Sequence, residues 1–486
     1  MNAPTLTEQL AASIEAASYL AQAELDERAA LLRALAQGLE LESADLIAIA
    51  AEETALGPER LRGEVARTAF QLRFFADIVT DGAFLQATID HADPAWPPAP
   101  RPDLRSVRQP LGPVLVFAGG NFPFAFSVLG GDTASALAAG CPVLVKAHPG
   151  HPRLSFATAR MARDIARQSG FPAGVLDLVL SEADGRVALQ HPAIKAAAFT
   201  GSLRGGRALY DLATSARPDP IPFYGELGSL NPVFVTPRAA CSRAEEIAAG
   251  FRASFTQGVG QFCTKPGLLV VPREMDLDVF AQGLSDSPPA PMLSDRIAEV
   301  FTTRVNELLD APGVSVLVRG GPDGLRSAAP TLLATTVSDA LSLPEVLLTE
   351  AFGPSSLIAT YRDEQEAFAL ARGIEGQLTA TVFAAEDADD PLAARLIPAL
   401  AERAGRVIVG GWPTGVAVTW AMQHGGPYPA STADGSTSVG ARAIDRFLRT
   451  VAYQSVPDAL LPSALREANP LGIRRRVDGI AEGSTS

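Results

Sequence analysis

Apolar positions recur with the period of a helix over residues 5–80. Leu10, Ile14 and Ala17 fall on one face, as do Leu31, Leu32, Leu35 and Leu39, which predicts helices with polar outer faces. The pattern breaks at 92–113. Pro94, Pro97, Pro98, Pro100 and Pro102 cannot continue a helix, and Ser106-Val107-Arg108-Gln109-Pro110 reads as an edge strand or extended arm. From Leu111 short apolar runs alternate with amphipathic stretches. Strands are expected at 114–117, 142–146, 174–180 and 195–200, and helices at 127–139, 153–169 and 203–214. Gly140 and Gly170 stand where helix-ending glycines belong. A second series follows, with strands at 232–235, 268–271, 314–318 and 379–383 and helices at 242–257, 297–309, 363–372 and 391–402. Such alternation means mostly parallel sheets with helices on both faces, two α/β units in succession. Residues 425–486 run through a helix expected at 439–448 to a strand-like 450–454, which could add to another subunit's sheet, and a polar tail.

Composition narrows the function. A chain of 486 residues has room for two or three domains. A net charge of −14 argues against nucleic acid and anionic membranes, which need a basic footprint. No apolar run approaches the roughly 18 residues of a spanning helix, and Met1-Asn2-Ala3-Pro4-Thr5 lacks the basic and apolar regions of a signal peptide. Cys141, Cys241 and Cys263 show no CxxC spacing, so neither a disulfide framework nor a zinc site is expected, and a cytoplasmic setting fits. His148 and His151 are flanked by prolines and accompanied by no further ligand cluster, so no metal site is read there.

The candidate chemistry gathers at strand ends. Cys263 follows Gly258 and Gly260 and precedes Pro266-Gly267 and the apolar run 268–271. It should sit on an irregular turn between helix and strand, an accessible nucleophile whose own N–H is free to meet an oxyanion; the competing reading is a small buried hydrophobe. Asn121, after two glycines, offers a side-chain amide to an oxyanion or is an ordinary turn residue. Lys146 ends a strand where ligands bind in parallel sheets, or snorkels at the surface. Gly201 and Ser202 open a helix whose N-terminus can approach a phosphate, or make a plain turn. Glu226, apolar and glycine-flanked, is expected to have a raised pKa that suits a general base; the alternative is an exposed strand-end carboxylate.

Taken together, these stretches resemble the aldehyde dehydrogenase superfamily. Asn121-Phe122-Pro123, Lys146, Phe199-Thr200-Gly201-Ser202, Glu226-Leu227-Gly228, Gly260-Gln261-Phe262-Cys263 and Glu350-Ala351-Phe352-Gly353-Pro354 appear in family order. Lys265-Pro266-Gly267, Lys146 to Pro152, 412–416, His424-Gly425-Gly426-Pro427, 436–438 and 457–462 resemble a bacterial NADP-type branch that includes α-ketoglutaric semialdehyde (2,5-dioxopentanoate) dehydrogenases. Two departures stand out: Gly228-Ser229 replaces the usual Gly-Gly, and Thr264 to Gly267 are unusual for the superfamily at large.

The resemblance implies a Rossmann-like cofactor domain at 1–229, a catalytic domain at 230–424, and an oligomerisation element formed by 425–486 with the arm at 92–112. It implies that Cys263 is the nucleophile, Asn121 the oxyanion donor and Glu226 the base that activates the deacylating water. Lys146, Gly201, Ser202, Glu350 and Phe352 would hold the cofactor. The expected reaction is oxidation of an aldehyde to an acid through a thiohemiacetal and a thioester. The substrate would be α-ketoglutaric semialdehyde, or alternatively a broad or long-chain range of aliphatic aldehydes. A CoA-acylating enzyme is disfavoured by Glu226, and a non-catalytic scaffold by the full residue set. NADP is expected over NAD, with dual use of both left open: Pro149 occupies the position three after Lys146, where NAD-preferring relatives often carry a glutamate that would repel a 2′-phosphate, and its absence permits NADP without excluding NAD. His148, His151, Arg153 and Arg186 are expected to add positive potential. A homodimer or homotetramer is expected.

Overall fold

The computed structural model describes residues 4–322, 324, 326–385 and 389–482. The helical period at the start of the chain gives helices Leu6–Leu20, Leu25–Leu41, Ser43–Thr54 and Pro58–Asp81. Thr5 opens the first through a reciprocal capping box with Glu8. Leu31, Leu32, Leu35 and Leu39 share one core with Leu72, Phe75 and Val79 of the fourth helix, and this core continues to Val114 and Val116. Each such burial stabilises the fold by roughly 1.5–3 kcal/mol.

Those helices cover a five-stranded parallel sheet. Its order is Leu176–Val179, Val143–Lys146, Val114–Phe117, Ala196–Thr200, Phe223–Glu226. Phe117 is in register with both Lys146 and Phe199, Lys146 with Val179, and Thr200 with Glu226. The carboxyl ends of all five strands therefore lie along one edge, where doubly wound sheets bind ligands.

A seven-stranded sheet follows, ordered Ser315–Val318, Thr331–Thr336, Ser355–Tyr361, Leu268–Pro272, Val233–Val235, Gln377–Phe383, Ala404–Val409. Its strands are parallel except for the antiparallel pair at the first edge. Between its two faces the apolar residues split into separate cores, one around Phe301 and Leu333, the other around Phe251 and Phe255. The expected α/β class with parallel sheets is what the fold has.

Several local expectations need correction. The helix expected at 127–139 begins only at Gly131, because the preceding residues fold as turns that pack Ala125 and Phe126 inward. The helix expected at 439–448 is a 3-10 stretch, Ala441–Phe447, followed at once by strand Leu448–Gln454. That strand pairs along its whole length with Leu104–Pro110 of the same chain. Leu104–Pro110 is consequently not an edge: Thr88–Asp90 pairs on its other side, with Pro110 tolerated because it ends the strand. Strands Thr331–Thr336 and Ser355–Tyr361 escaped the pattern because buried strands carry no alternation; Ala404–Val409, half-buried at the sheet's edge, shows no alternation either.

Candidate active site

The nucleophile turn is built from helix Pro237–Thr256 and the 3-10 turn Gln257–Gly260. Gly258, Val259 and Gly260 all take positive φ, at 57°, 57° and 65°; a β-branched residue in that region is held there only by its surroundings. A Cβ on Gly260 would lie 2.1 Å from the carbonyl of Gly353. Glycine thus lets this turn press against the Phe352-Gly353-Pro354 loop, and two stretches far apart in sequence become neighbours. Asn231, fully buried, donates its amide to the carbonyls of Cys263 at 2.8 Å and Lys265 at 3.0 Å and so fixes the turn from behind.

Cys263 is half-buried, and its Sγ lies 3.5 Å from His424 Nε2. The same Nε2 is 3.0 Å from Glu226 Oε1. The three groups lie within 4.8 Å of one another, a spacing that suits proton exchange and would also admit a thiophilic metal in place of the thiol's proton. Ser438 donates its hydroxyl to the other oxygen of Glu226. Thr437 accepts the backbone N–H of His424 at 2.8 Å, and Ser438 returns its N–H to the His424 carbonyl at 2.8 Å, which seats the imidazole. A small cavity lined by Glu226, His424, Ser438, Asp132 and Arg446 opens behind the carboxylate.

The electrostatics follow from this packing. Burial alone would push the Glu226 carboxyl up, but His424 and the hydrogen bonds from His424, Ser438 and Cys263 together hold it below its ordinary value. The expected raised pKa of Glu226 is therefore overturned: donors outnumber what burial takes away. Burial and the nearby charge of Glu226 drive the Cys263 thiol well above its ordinary value. The resting pair is a protonated thiol beside an ionised carboxylate, with the proton's acceptor already in place.

Asn121 comes to the same place. Its amide donates to the carbonyl of Gln261 at 3.1 Å, two residues before the cysteine. One N–H is used there and the second remains to meet an oxyanion.

Three cofactor candidates lie at the edge of the five-stranded sheet, and two lie in the loop before Ser355–Tyr361 of the seven-stranded one. Lys146 ends its strand, buried and desolvated, with its amine pKa lowered and no carboxylate within 4 Å among the described residues. Gly201 donates its N–H to the Glu226 carbonyl at 3.1 Å, and Ser202 caps helix Leu203–Thr214 by accepting from Gly205. Glu350 receives the backbone N–H of Ser229; burial pushes it up to about 7, against the pull of Lys265. A Cβ on Gly228 would lie 2.7 Å from Glu350 Oε2, so a side chain there would displace that carboxylate from its present place. Phe352 is half-buried beside it. An unpaired lysine, an open helix N-terminus and a carboxylate with free acceptor capacity fit a dinucleotide.

The histidines do not do what was expected of them. His151 is buried, and its imidazole touches the Gly119 carbonyl at 3.2 Å. His148 stacks on it at 5.3 Å, and burial beside it drives His148 down to about 3. Both are neutral at physiological pH and add no positive potential. Arg153 is paired with Glu52 at 2.8 Å. Of the cations named, Lys146 and Arg186 remain.

Sequence reasoning gave no site role to His424, Lys265, Asn231 or Ser438. His424 was visible only as part of a branch-like motif. Lys265 is 1 % exposed; its ammonium donates to the carbonyls of Ala351 at 2.8 Å and Ser355 at 2.7 Å and ties the nucleophile turn to the Glu350 loop. The departure at Ser229 also acquires a reason. Its hydroxyl lies 2.9 Å from Asn231 Oδ1 and 3.0 Å from Gln377 Oε1, and accepts the N–H of Leu378 at 2.9 Å.

Comparison with known proteins agrees with this geometry. The chain is 46% identical over 497 aligned residues to α-ketoglutaric semialdehyde dehydrogenase 2 of Azospirillum brasilense, covering 99% of this chain and 94% of that protein. It is 40% identical to the α-ketoglutaric semialdehyde dehydrogenase of Acinetobacter baylyi, covering 99% and 96%. Among solved structures, aldehyde dehydrogenase 21 of Physcomitrella patens in complex with the reaction product succinate superposes with a TM-score of 0.77 at 21% identity, over 93% of this chain and 90% of that one. A 3,6-anhydro-L-galactose dehydrogenase superposes with a TM-score of 0.77 at 22% identity, over 92% and 91%. At these identities the two structures speak to the fold alone. The aldehyde dehydrogenase family pattern matches residues 2–452. With a thiol, a carboxylate and a dinucleotide edge meeting at one point, and with that match spanning nearly its whole length, the chain belongs to the aldehyde dehydrogenase family: it is an oxidoreductase that acts on an aldehyde with a nicotinamide cofactor.

Proposed function

We propose that this enzyme oxidises α-ketoglutaric semialdehyde to 2-oxoglutarate with NADP as the preferred cofactor. The observation that carries the chemistry is the contact of Cys263, Glu226 and His424 within 4.8 Å; the substrate rests on the two relatives that match end to end. Glu226, ionised beside the thiol, takes the Cys263 proton, with His424 spanning the two groups. The thiolate attacks the aldehyde carbon, and the oxyanion meets the Asn121 amide and the Cys263 N–H. A nicotinamide held beside Cys263 would supply the hydride acceptor that converts the thiohemiacetal to a thioester. Glu226 passes that proton to solvent and then deprotonates a water, which attacks the thioester carbon, releasing the acid and expelling the Cys263 thiolate. Lys146, Gly201, Ser202, Glu350 and Phe352 would hold the dinucleotide. The absence of a carboxylate at Pro149 supports NADP.

A second reading, oxidation of long-chain aliphatic aldehydes, is favoured by an apolar patch. Phe70 and Trp420, 51% and 59% exposed, flank Phe74 at 6.0 and 5.3 Å. An aldehyde panel scored by kcat/KM, with NADP and NAD and with and without CoA, separates the readings. Pro149→Glu should shift the cofactor ratio toward NAD; an unchanged ratio removes that argument.

The unit boundaries 1–229, 230–424 and 425–486 are part of the proposal, as is assembly into a homodimer or homotetramer in the cytoplasm. Among the described residues Leu448–Gln454 has one neighbour in its sheet, and its outer edge could pair with a second copy. A stable, active monomer in sedimentation would overturn that assembly.

A further inference from the structure

Three arginines lie around the nucleophile turn, and they differ in what they touch. Arg60 is paired with Glu64 at 2.9 Å and lies over the rings of Phe122 and Phe262 at 4.4 and 4.6 Å. Arg67, on helix Pro58–Asp81, donates Nη1 to the carbonyl of Val416. Arg406, on strand Ala404–Val409, donates to the carbonyls of Gly415 at 3.1 Å and Pro413 at 2.8 Å. Gly415 in turn donates its N–H to Thr264, the residue after the nucleophile, at 3.4 Å. One loop, 413–416, is therefore gripped by two guanidinium groups and attached to the nucleophile turn.

Neither Arg67 nor Arg406 has a carboxylate within 4 Å among the described residues, and the Nε of each is buried without a hydrogen-bond partner. Cations desolvated in this way are ordinarily paired. Both lie near enough to Cys263 to feel charge on its sulfur, and Arg67 also feels Glu64 and Glu226. Phe122, Phe126 and Val416 form an apolar cluster on the same side. The arrangement is a reactive sulfur, an apolar wall for a short methylene chain, and two cations lacking an anion.

We propose that Arg67, supported by Arg406 across the 413–416 loop, binds the distal carboxylate of a short linear semialdehyde. This rests on the reading that the substrate carries such a carboxylate, and it names the side chains that recognise it. Among the described residues Arg67 Nε is buried with no hydrogen-bond partner while Nη1 is committed to Val416, so the guanidinium keeps donor capacity for a carboxylate. Arg406 adds charge and holds the loop that bounds the subsite.

The test compares α-ketoglutaric semialdehyde with pentanal, a neutral aldehyde of equal chain length, in the parent and in Arg67→Met, Arg67→Lys and Arg406→Met. Glutarate, which cannot react, serves as competitor. In Arg67→Met the kcat/KM ratio of semialdehyde to pentanal should fall about tenfold or more, through KM, and glutarate inhibition should weaken alike. Arg67→Lys should retain part of the preference, and Arg406→Met should lose less than Arg67→Met. Equal losses for both aldehydes would mean that the arginines only hold the loop and would overturn the proposal, as would unchanged glutarate inhibition. Should Arg67→Met fail to fold, the same ratio in Arg67→Lys decides. A parent that does not prefer the semialdehyde to pentanal would instead overturn the substrate reading itself, whatever the variants do.

Discussion

Glu226 and Glu350 both stand near Cys263, both raise its thiol pKa by their charge, and both follow from similar sequence, a glutamate among small and apolar residues. Their surroundings drive them apart. Glu226 accepts the Ser438 hydroxyl and lies 3.0 Å from His424 Nε2 and beside Cys263, and together these outweigh its burial. Glu350 receives one backbone N–H, and its cation is indirect: Lys265 commits its protons to the carbonyls of Ala351 and Ser355. Burial wins there, holding the carboxyl up at about 7 and the lysine down at about 8. Two chemically identical side chains thus become a base that is ionised throughout the working range and an acceptor whose charge is poised near neutrality. The number of donors decides which, not burial as such.

The comparison can be broken at several points. Cys263→Ala removes the group that both glutamates face; turnover should fall on the order of 10⁵-fold or more, while the dissociation constant of the reduced cofactor stays close to the parent's. Substantial turnover by the folded variant would mean that the thiol is not the covalent catalyst. Glu226→Gln should lower steady-state turnover by about 10²–10⁴-fold and leave a burst of reduced cofactor in the first turnover. If the single-turnover hydride step falls just as far, Glu226 serves chiefly the thiol and is not chiefly the deacylation base.

Lys265→Met cuts the tether between the nucleophile turn and the Glu350 loop. The KM for cofactor should rise by about tenfold with a smaller change in kcat. Equal changes in both would assign Lys265 to the fold alone. Glu350 also gives the sharpest pH signature. Its folded value of about 7 stands above an ordinary 4.5, so the folded protein favours the neutral form and loses stability as pH rises from about 4.5 to about 7. Glu350→Gln should therefore raise Tm by a few degrees above pH 7 and very little at pH 4.5. In the parent, cofactor KM should rise as pH falls through about 7, because a protonated carboxyl accepts fewer hydrogen bonds from ribose hydroxyls. A flat cofactor KM and an unchanged Tm would remove the asymmetry between the two glutamates.

Much of this was legible in the residues. The period of Leu31, Leu35 and Leu39 gave the N-terminal helices, and strand-like runs ending in Lys146, Thr200 and Glu226 gave a sheet edge, because alternation and punctuation are local. The partners of those edge residues were not legible. His424 reaches Cys263 across 161 positions and Ser438 reaches Glu226 across 212, distances over which sequence carries no periodic signal. That gap explains the error over the Glu226 pKa: its glycines and apolar neighbours announced burial, while its donors lay elsewhere in the chain. The histidines near Lys146 failed for the opposite reason. Their position was right, but burial removed the charge for which they were invoked.

The account turns on Glu226 acting after the acyl group has moved to sulfur. The most direct measurement is acid quench of Glu226→Gln during turnover with aldehyde and cofactor, followed by mass spectrometry of the peptide that contains Cys263. The account predicts an acyl adduct of the substrate's mass on Cys263 that accumulates to near stoichiometry, against little or none in the parent. A variant that turns over slowly with Cys263 unmodified, or with the adduct on another residue, would contradict it.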